Sequence, residues 1–271
     1  GNSVAPVGRS TLTVAAGAKL QIAGDAWSQP SSGCSGDALL LNLGEFSLSH
    51  ASFALNAPCV LQNFGSFATA TDSSVSGAGL VENYGAINVA FAGTAASTLS
   101  WQPALEHHST LIVQPAAALS LQGRVLSDSL VKVGWRSSLS LQSAAYFFNP
   151  AAITGNGTVF IGGNNNNNPT FADSPALFAQ FTGALQLQPN SQLVVSAPDF
   201  NADSFTLTAY ASTIMLLGNA TIANQFNVRD TTTIAALQAS DTTVIASPGT
   251  VTLLAYQPNT FQRWLLVGES I

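Results

Sequence analysis

Charged side chains are nearly missing from this sequence: 7 Lys+Arg and 13 Asp+Glu in 271 residues, or 7% of the chain, against roughly 25% in an average soluble domain. A surface cannot be built from so few ions, so Ser, Thr, Asn, Gln and Gly must cover it. The formal net charge of −6 and a pI near 4.7 exclude the clustered Lys and Arg that phosphate binding needs, and nucleic acid is not an expected partner. Long apolar runs are missing as well. The nearest, "TIMLLG" at 213–218, is far short of the roughly 18 residues that span a bilayer, so no membrane insertion is expected. A Ser-centred nucleophile elbow, a phosphate loop and a calcium-binding glycine-aspartate nonapeptide are all lacking. The chain does not begin with Met and carries no signal-like segment, so Gly1 is expected to follow a processing site or a fragment boundary.

Cysteine is scarce too. Cys34 and Cys59 stand 25 positions apart; an even pair fits one disulfide in an oxidising compartment, and two buried free thiols are the other reading. Two N-glycosylation sequons, at Asn156 and Asn219, point the same way as the disulfide, towards secretion to the exterior or the cell surface; Asn168 fails as an acceptor because Pro169 follows it.

What the chain has instead is apolar residues, 46% of the total, arranged in repeats. "LLNLGEFSL" at 40–48, "LQNFGSFAT" at 61–69 and "LVENYGAINV" at 80–89 align on Asn42, Asn63 and Asn83, with Gly44, Gly65 and Gly85 two residues later. A second phrase reads aliphatic-x-aliphatic, three spacers, a small residue, then aliphatic-x-aliphatic. It fits Leu12 to Ile22, Leu111 to Leu121, Val131 to Leu141 and Leu185 to Val195. Alternation with period two marks half-buried strands, and the Gly, Pro and Asn between the runs mark turns.

Short strands recurring about every 20 residues define a solenoid, whose units bury their apolar faces only by stacking on neighbours. The expectation is an all-β, single-stranded parallel β-helix over residues 1–271, with each strand about 4.8 Å from its equivalents. At the corners the Asn side chains are expected to form a hydrogen-bonded ladder and to tolerate a left-handed backbone. Gly44, Gly65 and Gly85 are expected to supply positive φ, and Leu43, Phe64 and Tyr84 to stack as a column. One stretch has a different signal: "DSPALFAQF" at 173–181, with Ser174 as N-cap and Pro175 at the first helical position, reads as a short helix or lateral excursion within 164–182.

"STLTVAAGAKLQIAGD" at 10–25, "ITGNGTVFIGG" at 153–163 and the Asn-x-Gly phrases resemble the coils of right-handed parallel β-helix proteins, the broad class of pectin-lyase-like folds, filamentous haemagglutinins and autotransporter passengers. That class includes polysaccharide lyases, hydrolases, tailspikes and adhesins, so the resemblance implies a coil and not a chemistry. Lyase relatives imply calcium-binding Asp and a catalytic Arg; hydrolase relatives imply several close Asp.

Here the acids Asp128, Asp173, Asp199, Asp203, Asp230 and Asp241 are scattered, with Arg at 9, 124, 136, 229 and 263. They read as polar corner residues, and an acid cluster of Asp199 and Asp203 with Arg229-Asp230 on a neighbouring turn is the alternative. Glu106-His107-His108 is the only histidine cluster. Adjacent strand residues face opposite ways, and a solvated loop is preferred over a zinc site. "GGNNNNNPT" at 162–170 reads as an exposed loop. Trp27, Trp101, Trp135 and Trp264 read as buried or corner-covering residues, with a sugar-stacking platform as the alternative.

The expected role is a non-catalytic structural or adhesive rod segment of an extracellular fibre, wall, matrix or surface appendage, without cofactor or metal. Its partners would be other subunits, flanking domains or glycans. Carbohydrate binding or processing along one face is the alternative, and a viral tailspike or fibre segment the third reading.

Overall fold

The computed structural model describes residues 10–23, 31–91, 98–162, 169–196, 200–201, 205–216, 220–222, 225–229, 232–236, 242–245, 251–255 and 263–266. The chain is all-β, its sheets are all parallel, and it winds as a β-solenoid with about 21 residues per turn. Its contacts gather into two compact units, Gly1–Leu139 and Ser140–Ile271.

In the first unit each turn contributes one strand to each of three sheets. The first sheet stacks Thr11–Val14, Leu39–Asn42, Val60–Asn63, Leu80–Asn83, Ala104–His107 and Val125–Ser127. The second stacks Lys19–Ala23, Glu45–Ser49, Ser66–Ala70, Ala86–Ala90, Thr110–Val113 and Leu130–Val133. The third runs through Ser31–Cys34, Ser52–Leu55, Ser74–Ser76, Leu99–Trp101 and Ala118–Leu121. Strict register follows from the alternation itself, because a one-residue slip would turn every apolar side chain to water. Leu40, Leu61, Val81 and Leu105 therefore point inward as one column. Phe46 and Phe67 lie stacked with centroids 4.9 Å apart, and Phe53 and Trp101 close on them at 5.2 and 5.5 Å. These four rings are almost fully buried, each worth about 2–3 kcal/mol of transfer free energy.

The second phrase of the sequence is a strand, a β-turn and a strand, and it is not tied to one corner. At 12–22 it joins the first sheet to the second, and at 111–121 the second to the third. Its turns close with bonds from Ala18 N–H to the Ala15 carbonyl and from Ala117 N–H to the Gln114 carbonyl, and the third turn residue has positive φ: Gly17 at 76° and Ala116 at 63°. The "small" position of the phrase is the last residue of that turn, which is buried at Ala117 and Ser137.

In the second unit Ala145–Phe147, Pro169–Ala172, Gln192–Val195, Thr213–Leu216, Thr232–Ala236 and Val251–Ala255 stack in one sheet. Thr158–Ile161, Ala184–Leu187, Thr206–Tyr210 and Gln225–Arg229 form another. Ala152–Gly155 pairs with Gln180–Phe181, and a further sheet stacks Phe200–Asn201, Ala220–Ile222, Thr242–Ile245 and Arg263–Leu266.

The helix expected at 173–181 does not form; residues 175–179 are successive turns. Each closes three residues back, Leu177 N–H on the Ser174 carbonyl, Ala179 on Ala176 and Phe181 on Phe178. The Leu177 carbonyl, which a helix would offer to Phe181, instead accepts from Ile153 N–H at 2.6 Å. Ser174 is buried with its hydroxyl unpaired, so it caps nothing. The apolar spacing reflects Leu177, Phe178 and Phe181 entering the core, where Phe178 and Phe181 meet Phe205 at 5.3 and 5.7 Å.

Candidate functional site

Among the described residues, a buried polar ladder lies in the first unit, where the first sheet turns into the second. Asn42, Asn63 and Asn83 end successive strands in direct register and are fully buried. Asn42 Nδ2 donates to Asn63 Oδ1 at 2.6 Å, and Asn63 Nδ2 to Asn83 Oδ1 at 2.6 Å. The second hydrogen of each amide goes to a backbone carbonyl: Ser66 from Asn42, Ala86 from Asn63 and Gly85 from Asn83. A buried amide is tolerable only when every such group is paired, and this ladder pairs them all in one direction.

The ladder continues where the repeat pattern did not point. His107 occupies the next position, paired in register with Asn83, and is also buried. Its Nδ1 lies 3.0 Å from Asn83 Nδ2, and its Nε2 lies 3.1 Å from the Leu130 carbonyl. Because Asn83 Nδ2 can only donate and the Leu130 carbonyl can only accept, the ring is the neutral tautomer with hydrogen on Nε2. Burial, the largest influence, pushes the His107 pKa below its ordinary 6.5; the Leu130 carbonyl opposes this, His108 reinforces it and Asp128 opposes it. Glu106-His107-His108 is thus not a solvated loop: Ala104–His107 is a strand. The signal was present, since "ALEHHST" aligns with "LVENYGA" position by position. It was hidden by a step of 24 residues where the preceding steps are 21 and 20.

The corner glycines act by a different route from the one expected. Positive φ is found at neither Gly44, Gly65 and Gly85 nor the three asparagines. The glycines are needed because rungs approach too closely for a Cβ, which at Gly65 would lie 2.0 Å from the Gly44 carbonyl oxygen and at Gly85 2.0 Å from that of Gly65. Those carbonyls accept from Ser66 and Ala86 N–H at 2.8 and 2.9 Å. The corner is thus shut by backbone.

Outside the ladder runs the aromatic column. Phe64 stacks on Tyr84 at 4.9 Å, and Tyr84 on His108 at 5.1 Å. The backbone bonds place Leu43 one rung before Phe64. His108 Nδ1 then meets Asp128 Oδ2 at 3.0 Å. Tyr84 has a ring on each of its faces, Phe64 on one side and His108 on the other. Two further pairs also join one rung to the next, Lys19 with Glu45 at 2.7 Å and His50 with Asp72.

Among the described residues of each unit, the remaining candidates form no cluster. Cys34 and Cys59 form a disulfide with Cα atoms 6.0 Å apart, buried at both ends; this is compatible with an extracellular location. Asn156 is exposed at the bend between Ala152–Gly155 and Thr158–Ile161. Asp173 bonds the Ser196 hydroxyl. Trp101 is core, whereas Trp135 is exposed with the Arg136 guanidinium 4.0 Å over its ring. Arg124 is exposed. Arg9, Trp27, Asp199, Asp203, Asn219, Asp230, Asp241 and residues 163–168 lie outside the described residues; Arg229, Arg263 and Trp264 lie on strands whose side chains are not described. Among the described residues no three of His, Cys, Asp and Glu gather as metal donors. A cleft of about 280 Å³ in the second unit is lined by Asn190, Ser191, Gln192, Ala211 and Thr213, all uncharged.

Stacked parallel rungs tied by a buried amide ladder define a β-solenoid of the parallel β-helix class, in keeping with right-handed winding. No family model, curated protein or solved structure matches the chain.

Proposed function

We propose that the chain is a non-catalytic structural or adhesive segment of an extracellular fibre, wall, matrix or cell-surface appendage. The observation that carries this reading is where the chemically capable side chains go. In the first unit the buried amides, His107 and the pairs His108–Asp128 and Lys19–Glu45 each bond the neighbouring rung. Groups used in this way stiffen a coil. The disulfide, the exposed sequon at Asn156 and the low charge of the chain suit the exterior of a cell. Partners would be other subunits or flanking domains that cover exposed strand edges, and glycans.

Carbohydrate binding is the second reading, and Trp135 favours it: the ring is exposed and only one face carries Arg136. The test is incubation with a panel of soluble and insoluble polysaccharides, measuring both retention and newly released chain ends. The structural reading expects no released ends and retention unchanged in Trp135→Ala. Release of ends, or retention lost with Trp135, would replace it.

A further inference from the structure

The amide ladder has a direction, and its last member is a base. Asn42 donates to Asn63, Asn63 to Asn83 and Asn83 to His107 Nδ1. The chain ends there because His107 Nδ1 has a lone pair and no hydrogen. If Nδ1 takes up a proton, a donor faces a donor at 3.0 Å. Turning the Asn83 amide over does not relieve this, because Oδ1 would then face the Gly85 carbonyl, and Nδ2 would face Asn63 Nδ2. Turning Asn63 as well would set its Oδ1 against the Ala86 carbonyl. The second hydrogen of each amide therefore locks the direction of all the others.

We propose that His107 is a proton-operated latch: protonation at Nδ1 breaks the ladder at its end and loosens the corner where Leu80–Asn83, Ala104–His107 and Val125–Ser127 stack. The groups around it permit this. Asn83 meets the ring from the strand before it, Ser127 is its register partner in the strand after it, and Leu130 offers only its carbonyl. The charged residues on these elements, Glu82, Glu106 and Lys132, alternate to the outer face, and Arg124 is exposed. Asp128, the carboxylate nearest the corner, is held by His108. The charge of Asp128 favours the cation, but no carboxylate is hydrogen-bonded to the ring, whose two nitrogens meet Asn83 and Leu130.

The sign follows from linkage. A histidine whose folded pKa lies below the unfolded 6.5 binds fewer protons folded than unfolded, so its contribution is complete above 6.5 and falls as the pH drops towards the folded value. Acid therefore weakens the coil through His107.

The experiment is thermal unfolding of the whole chain from about pH 7.5 to about pH 5, in wild type, His107→Asn, which keeps one acceptor and one donor in the ladder, and His108→Asn. The latch predicts that Tm falls with acid in wild type and in His108→Asn, and falls less in His107→Asn. Equal slopes in wild type and His107→Asn would overturn it. If His107→Asn does not fold, nitrogen-15 chemical shifts of the wild-type ring decide: hydrogen on Nε2 at neutral pH and titration below 6.5 support the latch. Hydrogen on Nδ1, or titration at or above that value, refutes it.

Discussion

At Gly65 two explanations of a corner glycine make opposite predictions. If positive φ were the reason, Asn would be the best replacement, because it visits the left-handed region most readily. Since the obstacle is the Gly44 carbonyl 2.0 Å from where a Cβ would lie, any side chain is excluded. Gly65→Ala and Gly65→Asn should each cost about 3 kcal/mol in urea unfolding, and a clear advantage for Asn would restore the backbone explanation. Ala116 is the converse case. It holds a φ of 63° in the turn where the equivalent residue of the first turn is Gly17. Ala116→Gly should leave the protein unharmed or stabilise it by about 0.5 kcal/mol, the strain released less the added freedom of the unfolded chain. Both glycine roles look alike in sequence, since a residue's own letter records nothing of how near the next rung passes.

At the scale of a strand and its neighbours, the ladder predicts that shape alone is insufficient. Asn63 gives both amide hydrogens and accepts one at Oδ1. Asn63→Ala leaves partners on two rungs unpaired and should cost about 3 kcal/mol. Asn63→Asp keeps the outline but turns a donor towards Asn83 Oδ1 and the Ala86 carbonyl into an acceptor, so it should be at least as damaging at neutral pH. Equal stability of the Asp variant and wild type in urea would contradict the directional ladder. The asparagines were legible in sequence because identical residues recur at nearly constant steps. His107 was not, because its step is 24 residues and the residue type changes. At 173–181 the apolar spacing fitted a helix equally well, and the bonds that close three residues back, with that from Ile153 to the Leu177 carbonyl, distinguish turns from helix.

For the molecule as a whole, low charge and high apolar content are consistent with a coil whose interior is continuous within each unit and whose exterior hydrogen-bonds to water. With so few charged side chains, the disulfide becomes a leading cross-link. Cys34 and Cys59 close a separation of 25 residues, which in the chain-entropy account contributes about 3.5 kcal/mol. Unfolding with and without reductant should differ by that order, and no difference would mean that the thiols are unpaired in the native protein.

The in-register stacking of rungs is the claim on which the ladder, the corner glycines and the proposed role all rest, and cysteine cross-linking tests it directly. Leu43, Phe64 and Tyr84 are exposed at 42%, 50% and 45% and occupy one position on three consecutive rungs. Adjacent rungs are about 4.8 Å apart, within the Cα range of a disulfide, and alternate rungs at about twice that are beyond it. Under mild oxidation, intact mass should show a bond in Leu43→Cys/Phe64→Cys and in Phe64→Cys/Tyr84→Cys, and none in Leu43→Cys/Tyr84→Cys. Bonding in the alternate pair as readily as in the adjacent pairs, or in none of the three, would contradict the winding.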